Sequence, residues 1–296
     1  MRSPSTWLCR SVVVWLLAAP LSACTGDGVP VLTQLMQARQ LTAALSAAVV
    51  KAASASDRAV MADTDEASQA FAREAREDLV SAQHAEQSLN ALLKQLEYTQ
   101  ELALLAGFRA EFERYHRLEG EILELAIENS NLKAQRLAFG AGQAAADDFQ
   151  AALSPAQPLQ AHSPEATWHV RALAATAIAA LRELQVLQGP HIAASEDSVM
   201  SPLEQRMAGL ETSARAALQD AQQLCPELQA TFEPATAALD RFGKIQHEIV
   251  TLSRRNSDVR SFALALGQKR NLIAACEGSL GALAASLDKH EFRATR

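Results

Sequence analysis

Mostly apolar residues recur at alternating intervals of three and four residues through the middle of the chain. The run comprises Tyr115, Leu118, Ile122, Leu125, Asn129, Leu132, Arg136 and Phe139. This alternation is the heptad repeat of helices that pack along a shared seam. With Tyr115 at an a position, Asn129 and Arg136 also fall at a positions. The pattern therefore predicts a long packed helix with two polar residues in its otherwise apolar seam.

The same pattern recurs 127 residues further along the chain. Its positions are Phe242, Ile245, Ile249, Leu252, Asn256, Val259 and Leu266. The Asn-Ser pair at 129–130 recurs at 256–257, and Gly140 recurs as Gly267. Apolar periodicity alone would not align polar pairs and glycines at one fixed offset. We therefore predict an internal duplication.

The positions of proline and glycine along the chain are typical of an all-α protein. Residues 31–154 contain no proline and only four glycines, which favours long helices. We predict helices near 31–62, 65–95, 98–138 and 141–153 in the first half, and near 165–188, 197–223, 227–266 and 268–288 in the second. Three prolines mark 154–164 as a linker. The expected architecture is two tandem antiparallel four-helix bundles, at 31–153 and 165–289.

Two polar triplets, at 129–131 and 256–258, interrupt the apolar pattern. Asn, Ser and Asp favour caps and turns, so a turn at each triplet is one alternative. The heptad continues through both triplets without a slip, so we predict a continuous third helix that ends at the glycines. A chain that reverses there would place Cys225 and Cys276 about 45 Å apart by helical rise, too far for a disulfide.

Residues 1–23 have the parts of a secretory signal peptide, with basic residues before a short apolar run. The segment ends in Leu21-Ser22-Ala23-Cys24, which resembles the bacterial lipobox. That resemblance implies cleavage before Cys24 and attachment of acyl chains, palmitate among them, to its thiol. Residues 24–30 would form a tether. The alternatives are an ordinary cleaved signal peptide in which Cys24 is incidental, and an uncleaved membrane anchor.

Composition and charge narrow the location and the partners. Removal of the signal peptide takes away Arg2 and Arg10, so the formal net charge moves from −7 to about −9, which argues against nucleic acid as a partner. No run after Cys24 reaches 18 apolar residues, so the lipid anchor is the expected membrane attachment. The residue after the lipobox cysteine is Thr25 rather than Asp, which implies a periplasm-facing lipoprotein of the outer membrane.

Motifs of catalysis are missing from the sequence. There is no Gly-x-Ser-x-Gly, phosphate-binding loop, dinucleotide fingerprint or His-Glu-x-x-His. Glu113 and His116 have the Glu-x-x-His spacing of di-metal bundles, but the matching positions hold Asp240 and Gly243. We therefore predict a non-enzymatic protein with no cofactor and no metal.

The two seam asparagines are the sharpest polar features. A core asparagine commonly fixes helix register, and this is the structural interpretation of Asn129 and Asn256. The functional alternative notes that Lys133 and Arg260 lie four residues further on, so an amide and a cation could together hold a carboxylate. Arg136 and Arg255 would add positive charge. The candidate ligand-binding residues are Asn129, Lys133, Arg136, Asn256 and Arg260.

The segments around the two Asn-Ser pairs also carry a family resemblance. They are Asn-Ser-Asn-Leu-Lys-Ala-Gln-Arg-Leu-Ala-Phe-Gly at 129–140 and Ser-Arg-Arg-Asn-Ser-Asp-Val-Arg-Ser-Phe-Ala-Leu-Ala-Leu-Gly-Gln-Lys-Arg at 253–270, followed by Ala-Ala-Cys-Glu at 274–277. These segments resemble the periplasmic four-helix-bundle or double-bundle sensor regions of bacterial methyl-accepting chemotaxis receptors. The resemblance implies binding of a small metabolite, often an organic acid or amino acid, between helices, and a homodimer.

The sequence departs from that family after its last predicted helix. No second membrane helix and no cytoplasmic signalling coiled coil follow residue 289. The expectation is a stand-alone sensor module on a lipid anchor that binds a small, anionic metabolite or acts through a receptor. The alternative is a structural or adaptor lipoprotein that docks another cell-envelope protein.

Overall fold

The computed structural model describes residues 31–154, 163–226 and 229–294. These ranges contain helices and no strand, so the predicted all-α class is confirmed. The predicted signal peptide at 1–23, the tether at 24–30 with Cys24, and residues 155–162 of the predicted linker lie outside the described residues.

Ten α-helices and two short π-helices make up the described ranges. Five α-helices precede residue 155: α1 (Val31–Val60), α2 (Asp65–Gln95), α3 (Thr99–Glu128), α4 (Ser130–Leu137) and α5 (Gln143–Leu153). Five follow: α6 (Pro164–Ala193), α7 (Asp197–Leu224), α8 (Gln229–Arg255), α9 (Ser257–Leu264) and α10 (Arg270–Ala294). The π-helices are π1 (Ala138–Gly142) and π2 (Ala265–Lys269).

Local sequence explains where two of the helices begin. The Thr64 hydroxyl accepts a hydrogen bond from the Ala67 N–H at 3.1 Å and caps α2. The Ser163 hydroxyl does the same for the Ala166 N–H at 3.1 Å, and Pro164 occupies the first turn of α6, where its missing N–H costs nothing.

The helices form two bundles, but not from consecutive helices. The first bundle consists of α1, α2, α3 and α10, and the second consists of α5, α6, α7 and α8. The fourth helix of each predicted half therefore packs in the other bundle, which differs from the division into 31–153 and 165–289. The physical reason is that the chain does not reverse at the glycines; it continues as a π-helical turn into the next helix.

Two long helical segments run through both bundles. One comprises α3, α4, π1 and α5, and the other comprises α8, α9, π2 and α10. They lie antiparallel: Glu101 accepts a hydrogen bond from Ser286, and Arg241 is paired with Asp148 at the opposite end. The α1–α2 hairpin packs on one half of this pair, and the α6–α7 hairpin packs on the other half.

The α-helix is interrupted where we predicted it to be continuous. Asn129 and Asn256 have left-handed backbones, with φ of 48° and 53°. A left-handed residue breaks the helical phase, so the buried stripe after Asn129 passes through Asn131, Ala134 and Ala138. The predicted seam positions at Arg136 and Phe139 are exposed instead.

The two buried cysteines lie in different cores. Cys276 packs in the core of the first bundle, and Cys225 packs in the core of the second. The two residues are not disulfide-bonded to each other.

Native Cys276 is expected to resist alkylation. Burial, helped by the nearby charges of Glu111 and Glu277, raises the pKa of its thiol to about 12, so almost no thiolate forms at pH 8. We expect iodoacetamide at pH 8 to leave the Cys276 peptide unmodified in the folded chain and to modify it fully in urea, as measured by peptide mass spectrometry. Rapid modification of the folded chain would contradict this packing.

Candidate functional site: the junction cleft

The two left-handed asparagines mark the junction, where the long segments pass from one bundle to the other. Asparagine tolerates the left-handed region better than most residues with a side chain. Each asparagine ends one helix and begins the next: Asn129 separates α3 from α4, and Asn256 separates α8 from α9. Each break leaves backbone groups at the new helix ends that need partners.

The two new helix starts cap each other. The Ser130 N–H donates to the Ser257 hydroxyl at 2.9 Å, and the Ser257 N–H donates to the Ser130 hydroxyl at 2.9 Å. The next residues cross in a similar but not equivalent way: the Leu132 N–H donates to Asp258 Oδ2 at 2.9 Å, whereas the Asp258 N–H, rather than that of Val259, donates to Asn131 Oδ1 at 3.3 Å. The equivalence at an offset of 127 residues is thus visible in the contacts, while the duplication itself stays a prediction.

Buried amides tie the junction to the end of α6. Asn131 Nδ2 donates to the Ile192 carbonyl at 2.7 Å and to Asn256 Oδ1 at 2.9 Å. Asn256 Nδ2 donates to the Ala194 carbonyl at 2.9 Å. Asn131 and Asn256 are both buried, so these bonds replace water for groups that could not otherwise be satisfied.

The cationic candidates from the sequence bind acceptors of the chain itself. Lys133 Nζ donates to the Glu128 carbonyl at 2.6 Å, at the carboxyl end of α3. Arg136 donates to the Asp63 carbonyl at 3.0 Å and lies 3.4 Å from Asp65 Oδ2. Asn129 Nδ2 donates to Asp65 Oδ1 at 3.0 Å. The structure therefore brings Asn129 and Arg136 together at a carboxylate.

The remaining candidates do not complete an anion site. Asn256 is used by the buried amide bonds, Arg260 is exposed, and the supporting Arg255 is paired with Glu128 at 2.7 Å. None of these three residues, nor Asn129, Lys133 or Arg136, lines the cleft found at the junction. Their assignment to an anionic ligand stays a prediction without a matching cavity.

A cleft of about 500 Å³ opens beside the crossed helix starts. It is lined by Val60, Met61, Ala62, Asn131, Leu132, Gln135, Ile192, Ala193, Asp258, Val259 and Phe262. The α4 and α9 residues form pairs at the 127-residue offset: 131 with 258, 132 with 259, and 135 with 262. The walls therefore come from both long segments and from the ends of both hairpins, which is the kind of meeting point where ligand sites form.

Among the described residues that line the cleft, Asp258 is the one that carries a charge. Burial raises the pKa of its carboxyl group, and the hydrogen bonds from the Leu132 N–H and the Ser257 hydroxyl oppose that rise. The carboxylate accepts hydrogen bonds from the chain at 2.9 Å for Oδ2 and 3.3 Å for Oδ1, the Asn131 N–H also acts on it, and room for a further donor is left. The described lining thus offers a carboxylate, two amides and apolar walls, which can bind a ligand.

Sequence reasoning did not select Asp258 or Asn131 as binding residues. The signal was present in the offset comparison, where residues 129–130 match 256–257 but Asn131 faces Asp258. Within the triplets, this difference places a carboxylate at position 258 where the other segment has the amide of Asn131. The candidates that we chose instead followed helical spacing, which cannot tell a cleft wall from a capping group.

A second polar group is buried inside the first bundle. Lys269 Nζ donates to the Ala53 carbonyl at 2.9 Å and to Asp57 Oδ1 at 2.8 Å, and it lies 3.5 Å from Glu119 Oε1. Lys269 is 1% exposed and Glu119 is 0% exposed. Burial raises the pKa of Glu119, while the Lys269 charge opposes the rise. Within the described residues, the Glu119 oxygens make no well-formed hydrogen bond, although Ser56 and Tyr115 lie beside them.

At the equivalent position, the second bundle has a neutral hydrogen-bonded pair instead of an ion pair. At the 127-residue offset, Glu119 corresponds to Gln246 and Lys269 corresponds to Gly142. Gln188 Nε2 donates to Gln246 Oε1 at 2.6 Å. The buried ion pair is therefore specific to the first bundle.

Metal sites, membrane-spanning helices and similarity to known proteins are the other indications of function. In the part of the chain that the structure describes, no three or more His, Cys, Asp or Glu side chains are placed to hold a metal ion. No helix within those ranges combines the length and apolar content needed to cross a membrane. No protein-family model, curated protein or solved structure matches this chain.

Proposed function

We propose that this chain is a non-enzymatic ligand-binding or sensing module, and that the junction cleft is its binding site. The module would be held at the membrane by a lipid on Cys24 and would face the periplasm, at the outer membrane, as the lipobox resemblance implies. The observation that carries the proposal is the cleft itself, whose volume and mixed lining suit a small molecule.

The position of the cleft supports sensing as well as binding. A ligand there would touch α4 and α9, which belong to the long segments, and the ends of the two hairpins at Met61 and Ile192. These are the elements whose relative placement sets how one bundle sits on the other. A ligand that prefers one such placement shifts the population toward it, which is what a sensor requires.

A blocking variant tests the proposal. Gln135 is exposed and lines the cleft, so Gln135→Trp should fill the cleft without disturbing the core. Soluble chain with Cys24 replaced would be screened against small metabolites by thermal shift. A true ligand at about 100 times its Kd stabilises by about 2.7 kcal/mol. We expect a hit to shift the unblocked chain by several degrees and to leave Gln135→Trp unshifted.

The matched control is Gln37→Trp, an exposed glutamine on α1 that does not line the cleft. It should respond to ligand as the unblocked chain does. A hit that stabilises Gln135→Trp equally would place the ligand elsewhere. A screen with no hit across broad metabolite sets would overturn the binding function.

The adaptor alternative has one observation in its favour. Phe139 in π1 and Leu266 in π2 are 75% and 44% exposed, and they occupy equivalent positions at the 127-residue offset. The long segments are antiparallel, so the two side chains lie on opposite sides of the junction, and each is a candidate contact for a docked protein. An adaptor would retain its envelope partner when Gln135→Trp is used as bait and would lose it with Phe139→Ser and Leu266→Ser, as measured by co-purification from membranes.

A further inference from the structure

We propose that the junction cleft takes a small primary amine with an apolar body, rather than a carboxylate. This inference rests on the proposed binding function and names the chemical class of its ligand. It reverses the sign of charge that sequence spacing suggested. The reasons are the charge that faces the cleft, the hydrogen-bonding capacity left in its lining, and the residue that stands opposite Asp258.

In the ranges that the structure describes, the lining of the cleft has one carboxylate and no cation. The nearest basic residues on α4 are engaged: Lys133 with the Glu128 carbonyl and Arg136 with Asp63 and Asp65. Lys133 also attracts the Asp258 charge, but its ammonium is directed to the α3 end. An incoming carboxylate would meet Asp258 with no partner in the lining, whereas an ammonium would meet a charged acceptor.

Below the rim, the polar side chains of the described lining are Asn131 and Asp258, which keep acceptor capacity at Asp258 and no spare donor. Both hydrogens of the Asn131 amide are used, by the Ile192 carbonyl and by Asn256. Asp258 accepts from the Leu132 N–H and the Ser257 hydroxyl, and the Asn131 N–H also acts on its carboxylate, so one of its about four acceptor positions is left. Gln135, which is exposed, adds a carbonyl oxygen and an amide NH2 at the rim. A ligand with several N–H donors satisfies these groups best.

Capping alone does not explain a charged residue at position 258. Asp258 caps the start of α4 by accepting from the Leu132 N–H, and Asn131 caps the start of α9 by accepting from the Asp258 N–H. The neutral amide of Asn131 performs the same task as the carboxylate. Capping therefore does not require a charge at position 258. The charge does favour the amino end of α9 and attracts Lys133, and it lies in the wall of a cleft.

The apolar walls determine the rest of the ligand. Val60, Leu132, Ile192 and Val259 line the cleft, and Phe262 presents a ring that is 48% exposed. An aromatic face attracts an ammonium as well as an apolar body. A cleft of about 500 Å³ suits an amine with a short alkyl chain or a single aromatic group.

Matched probe pairs test the inference. Butylamine, 2-phenylethylamine and tryptamine would be compared with pentanoate, 3-phenylpropionate and indole-3-propionate by isothermal titration calorimetry on the soluble chain with Cys24 replaced. We expect at least one amine to bind at least about tenfold more tightly than the carboxylate of the same skeleton, because a charge-assisted hydrogen bond is gained.

Asp258→Asn is the key variant, because it keeps an oxygen for the Leu132 N–H and makes position 258 the same as position 131. It should fold with nearly unchanged Tm and lose at least about tenfold in affinity for the amine. Glu124→Gln, an exposed acid on α3 outside the cleft, should lose nothing.

Failure of this inference can be told apart from failure of the proposed function. If carboxylates bind more tightly than amines, or if Asp258→Asn keeps its amine affinity, the ligand class is wrong while a cleft blocked by Gln135→Trp still demonstrates the binding site. If no probe and no metabolite distinguishes the unblocked chain from Gln135→Trp, both proposals are overturned.

Discussion

Replacing Lys269 by methionine is expected to lower the free energy of unfolding by about 3–5 kcal/mol, because it removes one partner of a buried ion pair. Methionine fills the volume of the lysine stem, so a cavity does not explain the loss. Glu119 would keep no cation in a site where it is fully buried, and the Ala53 carbonyl would lose its donor. Urea unfolding followed by circular dichroism measures the change through a shift of the midpoint at constant m-value.

The loss should depend on pH in a direction that the structure determines. The folded-state pKa of Glu119 is raised by burial, so the folded chain binds this proton more tightly than the unfolded chain does. The stabilisation from that proton is fully present below the unfolded pKa and is lost as the pH rises through the folded pKa. Without Lys269 the folded pKa rises further. The variant should therefore approach the wild type in acid and fall increasingly below it toward neutral pH.

A double variant separates this cause from general damage to the core. Lys269→Met combined with Glu119→Gln gives the first bundle a neutral polar centre like that of the second, where Gln246 pairs with Gln188. We expect it to recover most of the loss and to lack the pH dependence, since replacing a whole buried pair is often neutral. A double variant as unstable as Lys269→Met at every pH would show that the pair is not the cause.

The sequence predicted the helices well because amphipathic periodicity is a local property. The absence of proline from 31 to 154 and the proline-rich linker at 154–164 place most helix ends within a few residues of the structure. Periodicity shows that a helix has a buried face, but it does not show which helix covers that face. For this reason α5 and α10 were assigned to their own halves, whereas each packs in the other bundle.

The glycines after α4 are compatible with two different backbone structures, and the sequence does not decide between them. Gly140 and Gly142 permit a reversal of the chain, and they equally permit a π-helical turn that lets the segment continue. Contacts distant in sequence decide between these outcomes. The long segments continue because α5 gains a core against α8 and α6, in which Phe149 is fully buried.

The predicted buried positions after Asn129 were wrong for a related reason. A heptad that continues on paper assumes that every residue turns the helix in the same direction, and one left-handed residue breaks that assumption. The asparagine that begins each polar triplet is compatible with a left-handed residue there, since asparagine takes this conformation more readily than most residues with a side chain. The candidate site could not be predicted for the same reason. The cleft and the reciprocal caps depend on the new helix starts that Asn129 and Asn256 create.

Asn256→Ala is expected to lower the free energy of unfolding by about 3–4 kcal/mol. It leaves the Ala194 carbonyl and an Asn131 N–H buried without partners, at about 1–3 kcal/mol for each group. It also forces alanine into a left-handed backbone, which costs about 1–2 kcal/mol. Partial relaxation around the smaller side chain keeps the total below the sum of these costs.

Asn256→Gly divides the two contributions, because glycine accepts the left-handed backbone without strain but makes no amide bonds. It should lose about 1 kcal/mol less than Asn256→Ala. Asn129 is the matched control in the same chain. Its backbone is equally left-handed, but its amide binds Asp65, whose side chain is 27% exposed and can turn to water. Asn129→Ala should therefore cost about half as much as Asn256→Ala. Equal costs at the two sites in urea unfolding would mean that backbone strain, and not the buried amide bonds to the end of α6, holds the junction together.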